Sequence, residues 1–289
     1  MSPYHFTLGA AEIFALQDGV LTADVGKLYR RNGEPVAEAF ADAATSLSVN
    51  CFLIKTPERT VLIDTGSGQL FGPDHGKLSA GLAALGLSPA DIDDIILTHI
   101  HADHTGGLVR DGAPIFPKAT VHAGRTETGF WLSPGAADGP DVTERVKGQI
   151  GRAHLCLDPY EAEGRLTIFD DNGPILPGFS ATLRAGHTPG HLAIRFESEG
   201  QFESEGMVML FVGDIVHGEN VQFRDPAITI DFDYDQINAA KARAQVFEQA
   251  ADAGYLIAAA HLPFPGVGSI RKEGAAYRLE TLQKKDEMR

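Results

Sequence analysis

A run of three apolar β-formers, Ile95-Ile96-Leu97, leads straight into Thr98-His99-Ile100-His101-Ala102-Asp103-His104-Thr105-Gly106-Gly107. The run reads as a buried strand. Residues two apart on an extended segment point the same way, so His99 and His101 can present their imidazoles to one ion. Asp103 and His104 lie past the strand end, where a tight turn aims them at a neighbouring ion, and Gly106 and Gly107 permit close backbone approach. The bland alternative is a polar, His-rich surface loop. Four potential ligands within six residues, directly after a buried strand, weigh against it.

Other positions repeat the pattern of a donor placed where an apolar run stops. His187 follows Phe179–Gly186 (FSATLRAG) inside GHTPGH, Asp214 follows Met207–Gly213 (MVMLFVG), and His261 follows Tyr255–Ala260 (YLIAAA). Side chains at strand ends can converge on one cleft while the strands stay packed. Singly, each could be a capping Asp or a hydrogen-bonded core His; together with the first cluster they suggest one site. His191, four residues beyond His187, is a candidate hydrogen-bond partner for the ligands, although a surface position would serve it equally. His5, His75, His122 and His154 have no donors clustered around them and read as structural or solvent-facing.

Short strands and turns fill the first half. His5–Leu16 with a turn at Gln17-Asp18-Gly19 suggests an opening hairpin, and Val49–Lys55 with Thr60–Asp64 a second, whose continuous apolar runs imply burial on both faces. Leu78–Leu87 has helical spacing, and Ser88-Pro89 caps another short helical turn. A strand is expected at Ala119–His122 and helices at Thr126–Leu132 and Val142–His154. The second half offers strands at Arg165–Phe169, Phe179–Arg184, Leu192–Glu197, Met207–Val212 and Tyr255–Ala260, with a helix at Gln236–Ala251. Sheet-then-helix in both halves predicts an α/β protein with αββα layering: two mixed β-sheets packed face to face with helices outside. No linker-like segment divides the halves, so residues 1–289 read as one domain.

A formal charge of −15, with no basic cluster, disfavours nucleic acid as a partner. No apolar stretch is long enough for a membrane span, and Met1–Leu8 lacks a secretory leader's basic start, so a cytoplasmic location is expected. Cys51 and Cys156 read as buried thiols, not a disulfide.

THIHADHTGG, AGHTPGH, FVGD and AAH, in that order between Val49 and His261, resemble the metallo-β-lactamase superfamily. The resemblance implies that His99, His101 and His187 hold one divalent ion, that Asp103, His104 and His261 hold a second, and that Asp214 bridges them. Nitrogen and oxygen donors without thiolate make zinc the default, with manganese, cobalt or iron tolerated. Two such ions lower the pKa of the water between them, and the resulting hydroxide is the expected nucleophile, with Asp103 accepting and returning the proton.

The bridging Asp214 separates the chain from the true β-lactamases, and the short tail after His261 separates it from the thioester hydrolase glyoxalase II. The segment AAHLPFPGVGSIRKEG and the opening FTLGAAEIFALQDG resemble the lactonase and methyl-parathion-hydrolase branch. That branch implies opening of lactones, particularly N-acyl homoserine lactones, or cleavage of related neutral esters, with secondary action on aryl phosphotriesters. It also implies a homodimer. Phe71 and Trp131 match places where this branch has aromatics over the metals, and His217 and Phe232 fall where the leaving-group side is lined. For these four, plain packing is the competing reading. An iron-dependent oxidoreductase or a thioester hydrolase of the same fold, and a binding protein that has lost catalysis, are the alternative functions.

Overall fold

The structure is a computed structural model, and it describes residues 2–36, 46–138, 142–198 and 207–282. Two seven-stranded sheets form its centre. The first runs in the order Tyr4–Leu8, Ala11–Thr22, Ser46–Lys55, Thr60–Ile63, Asp94–Ile96, Thr120–Gly124, Leu166–Phe169. Its opening strands pair antiparallel; from Thr60–Ile63 onward the pairing is parallel. The second runs Gly173–Leu176, Phe179–Leu183, Leu192–Ser198, Met207–Gly213, Leu256–Ala259, Val267–Glu273, Ala276–Thr281. There only Met207–Gly213 and Leu256–Ala259 are parallel neighbours.

Alternation along the strands explains the layers. Phe52 and Ile54 face Ile194, Phe196 and Phe211 across the seam between the sheets. Their neighbours Cys51 and Leu53 point the other way, into a cluster with Leu82, Ile150, Leu157 and Tyr160 of the helices Leu78–Ala84 and Glu144–Ala162. On the far side, Leu210 and Ile257 meet Val246, Phe247 and Ala250 of the helix Gln236–Ala253. A strand buried on both faces must be apolar throughout, which is why these runs lack polar alternation. The αββα layering follows from this arrangement.

Two local expectations fail for identifiable reasons. The hairpin turn falls at Gly9-Ala10, and Gln17–Gly19 is a bulge inside the strand Ala11–Thr22. The buried Asp18 carboxylate is placed by this bulge to accept hydrogen bonds from the N–H groups of Ser67, Gly68, Gly76 and Leu78, which ties down the loop carrying Phe71. Polar composition suggested a turn, but the polar side chain satisfies a neighbouring loop. Asp103 and His104, expected in a tight turn, lie on a single helical turn, Ala102–Thr105. The C-terminal hairpin Val267–Glu273 with Ala276–Thr281 was not anticipated; Lys, Arg and Glu on its exposed face mask the strand pattern.

Candidate metal centre

Every expected ligand lies at one end of the two-sheet seam. His99 follows the strand Asp94–Ile96, Asp214 follows Met207–Gly213, His261 follows Leu256–Ala259, and His187 follows Phe179–Leu183. Ends of parallel strands are where open α/β sheets gather functional groups. The sheets meet closely here: Leu192 N–H donates to Thr98 O at 3.0 Å. A Cβ on Gly213, whose φ is +48°, would sit 2.7 Å from Thr98 Oγ1 and 2.8 Å from His191 Nε2, so only glycine fits.

His99 Nε2 and His187 Nε2 approach His101 Nδ1 at 3.1 and 3.0 Å. Asp214 Oδ2 lies 3.1 Å from His187 Nε2 and 3.1 Å from His261 Nε2, while Asp214 Oδ1 lies 3.0 Å from His104 Nε2. Asp103 Oδ2 stands 3.3 Å from His261 Nε2. Two of the donor groups that could each hold an ion are His99-His101-His187-Asp214 and Asp103-His104-His261, with Asp214 reaching into both; Asp214, His217 and His261 form a third, overlapping group. Two tetrahedral nitrogen ligands each about 2.0–2.1 Å from zinc are about 3.3–3.4 Å apart, close to these spacings. His104 Nε2 and Asp214 Oδ1 are sealed from solvent yet neither makes a hydrogen bond. Buried lone pairs without partners are costly, and a cation between them is the partner this donor set suits.

Four of the five imidazoles are aimed by a bond on the other side of the ring. His104 Nδ1 meets Asp64 Oδ2 at 2.8 Å, His187 Nδ1 meets Asp233 Oδ1 at 3.0 Å, His261 Nδ1 meets Ser48 O at 2.8 Å, and His99 Nδ1 meets Thr98 Oγ1 at 3.1 Å. Thr98 donates in turn to Asp64 through N–H and Oγ1. Such partners fix the ring orientation and tautomer on which metal affinity depends. His191 is buried and its Nε2 accepts from Asp214 N–H at 3.1 Å.

Glu127 joins two ligand segments. Its Oε1 accepts from Ile100 N–H at 2.9 Å and Trp131 Nε1 at 2.7 Å; its Oε2 accepts from Thr188 Oγ1 at 2.8 Å and Gly190 N–H at 2.9 Å. Asp64, Asp233 and Glu127 escaped the sequence reading. Asp64 stands where an apolar run ends, the signal that found Asp214, whereas Asp233 and Glu127 give no local signal.

Burial disfavours charge on Asp214, but the rings of His261, His104 and His187 hold its carboxyl well below the usual carboxylate range. Burial also favours neutral imidazoles and, with the neighbouring His187, pushes His101 down to about 3. His187 and His261 go the other way despite burial, raised to about 9 and about 10 by Asp214 together with Asp233 and Asp103 respectively. Asp103 is likewise held ionised against burial, chiefly by its bond from His261.

A cavity of about 470 Å³ opens onto Asp103, His101, His187, Asp214 and His261, with Leu21, Leu47, Phe71 and Phe232 as its apolar walls and the helix Glu144–Ala162 along one side. Phe71 and Phe232 thus face it. Trp131 does not line it: only 2% exposed, the indole packs behind the His101 ring at 5.5 Å, because Glu127 holds its N–H inward. His217 sits beside the donors instead of on this cavity's lining. It lines a separate cavity of about 300 Å³ with His261, and its Nε2 lies 3.2 Å from Asp214 Oδ2.

A two-sheet sandwich whose seam ends in His and Asp donor groups joined by one carboxylate is an arrangement suited to divalent metal. The chain belongs to the metallo-beta-lactamase superfamily, whose family pattern matches residues 44–261. Among solved structures it is similar to a hydrolase of the beta lactamase superfamily, AbOPH, at 31% identity and a TM-score of 0.88 over 99% of each chain. It is also similar to AidC, described as a dizinc quorum-quenching lactonase in complex with its product, at 25% identity and a TM-score of 0.83 over 98% of each chain. Curated relatives include a probable metallo-hydrolase of Mycobacterium tuberculosis, 25% identical over 84% of this chain and 85% of the relative. An N-acyl homoserine lactonase of Bacillus thuringiensis is 26% identical over 64% of this chain and 71% of the relative. Among the described residues, no helix is long and apolar enough to cross a membrane.

Proposed function

We propose that this protein is a dinuclear metal-dependent hydrolase that opens lactones of the N-acyl homoserine type or cleaves related esters, with secondary action on aryl phosphotriesters. The observation that carries the reading is the placement of Asp214 within 3.1 Å of donors from both groups, on the lining of a cavity with apolar walls. Similarity to AidC and to the Bacillus lactonase supports the lactone substrate, and the AidC description supports zinc. His99, His101 and His187 would hold one ion, Asp103, His104 and His261 the other, and Asp214 both. When bound, such a pair supplies Lewis acidity and a water ionisable near neutral pH.

The chain's own groups complete the site. Asp103 borders the cavity beside His261, so it is the carboxylate within reach of a leaving oxygen, where it would take up a proton and return it. Phe71 and Phe232 would hold the acyl or aryl portion by burial and stacking. A homodimer and a cytoplasmic location complete the proposal.

Purified protein reconstituted separately with zinc, manganese and cobalt should hydrolyse members of a panel of lactones, aryl esters and methyl parathion, and chelator should abolish turnover. Asp214→Ala should lose bound metal and at least ~10³ of activity together, the scale seen when a major electrostatic group is removed. Absence of metal-dependent turnover across the whole panel would sink the proposal.

A further inference from the structure

We infer that the cavity wall formed by the helix Glu144–Ala162 is a subsite for an anionic group, so that the preferred substrate carries a carboxylate or similar anion away from its neutral scissile ester. The inference rests on the hydrolase reading of the metal centre and refines its substrate class.

Arg145, Gly148, Gln149 and Arg152 project from one face of this helix into the cavity. Positions three, four and seven apart share a helix face, and seven residues span about 10 Å, so the two guanidiniums flank a stretch of wall. Neither has a carboxylate within ion-pair distance among the described residues. Arg145 donates to Asp231 O at 3.0 Å and lies over the Phe232 ring at 5.4 Å, which steadies it while leaving donors free. Among the described residues, the hydrogen bond Arg152 makes is a 3.4 Å contact with Gln149 Oε1. Nearby, Glu144 is engaged by Lys147 at 2.9 Å, and Arg30 and Arg31 are paired with Asp231 and Asp225.

Gly148 adds an independent observation. Glycine inside a helix costs about 1 kcal/mol relative to alanine, so an exposed one calls for a reason. Here a Cβ would meet only Arg152 Nη1, at 3.7 Å. The missing side chain leaves an open recess on the cavity face between Arg145 and Arg152. A planar oxyanion placed there can receive N–H bonds from one or both guanidiniums.

Charge sharpens the point. The chain has 39 acidic against 24 basic residues, so most of its surface repels anions. The other carboxylates on this cavity, Asp103 and Asp214, belong to the metal centre. The Arg145–Arg152 wall is therefore a local positive region, and Leu21, Leu47 and Phe71 line the same cavity, which suits an apolar spacer. The recognised molecule is an ester or lactone whose apolar arm ends in an anion.

The test uses the metal-loaded enzyme and a matched pair of γ-lactones whose side chains, equal in length, end in a carboxylate or in its methyl ester. The wild type is expected to favour the carboxylate in kcat/KM by about 10-fold or more, chiefly through KM, because a hydrogen bond to a charged group is stronger than one to a neutral ester. In Arg152→Gln and in the Arg145→Gln/Arg152→Gln double variant, that ratio should fall towards one. Added salt should erode the wild-type preference. An equal or reversed preference in the wild type, or a ratio unchanged in the variants, overturns the inference while metal-dependent turnover of the methyl ester leaves the hydrolase reading intact. Turnover of neither lactone, nor of any ester in the wider panel, would remove both.

Discussion

Glu127 offers the sharpest check on how the centre is held. Its carboxylate is 1% exposed and accepts four hydrogen bonds, one from the segment that carries His99 and His101, one from the Trp131 indole and two from the segment that carries His187. Ile100 N–H and Trp131 Nε1–H share Oε1, and Thr188 Oγ1–H and Gly190 N–H share Oε2. In Glu127→Gln one oxygen remains and can serve Ile100 and Trp131; the amide nitrogen then faces Thr188, whose hydroxyl can turn to accept, and Gly190 N–H, which cannot. One stranded buried donor costs about 1–3 kcal/mol. Burial already pushes the Glu127 carboxyl up, so removing its charge recovers part of that loss. A net destabilisation of about 1–2 kcal/mol is expected, measurable by urea unfolding of the metal-free protein. Loosening the two segments should also weaken the ion at His99, His101 and His187 by ~10–100-fold in chelator competition, with the ion at Asp103, His104 and His261 less affected. Glu127→Asp, which keeps the charge but shortens the reach, should recover only part of the affinity. If Glu127→Gln unfolds within about 0.5 kcal/mol of wild type and binds both ions normally, the reasoning from buried donors is wrong.

Two further outcomes follow from the same geometry. Chelation should lower the thermal midpoint on the order of 10 °C at metal concentrations about 1,000-fold above Kd, because the ligands come from both sheets and only the folded chain assembles them; a midpoint indifferent to chelator would refute this. At the opposite end of the first sheet, burial works against the charge on Asp94, but His122 and Arg59, bonded at 2.8 and 2.6 Å, hold its carboxyl below the ordinary value. A depressed carboxylate stabilises the fold above its unfolded pKa of about 3.9 and loses that contribution as pH falls through the folded value. Asp94→Asn should therefore destabilise the protein near neutrality by about 1–3 kcal/mol and flatten the stability loss below about pH 4, and an unchanged acid limb would count against it.

The sequence by itself determined the layers and the reacting end of the molecule. Continuous apolar runs such as Val49–Lys55 and Met207–Gly213 require burial on two faces, and the donors that terminate such runs, from His99 to His261, mark the edge where strands stop. These are local signals, written in neighbouring residues. Tertiary structure alone decided what stands behind and around those donors. Glu127 and Asp233 meet their partners across 27 to 63 residues of chain, a distance over which no sequence period survives. Trp131 shows the same limit: its aromatic ring suggested a substrate contact, but the bond from its indole N–H to Glu127 turns it into backing for His101. Asp18 likewise reads as a turn residue until the loop that it satisfies folds over it. Backbone periodicity dictates where a strand ends; which buried hydrogen bonds are satisfied there depends on segments that only packing brings together.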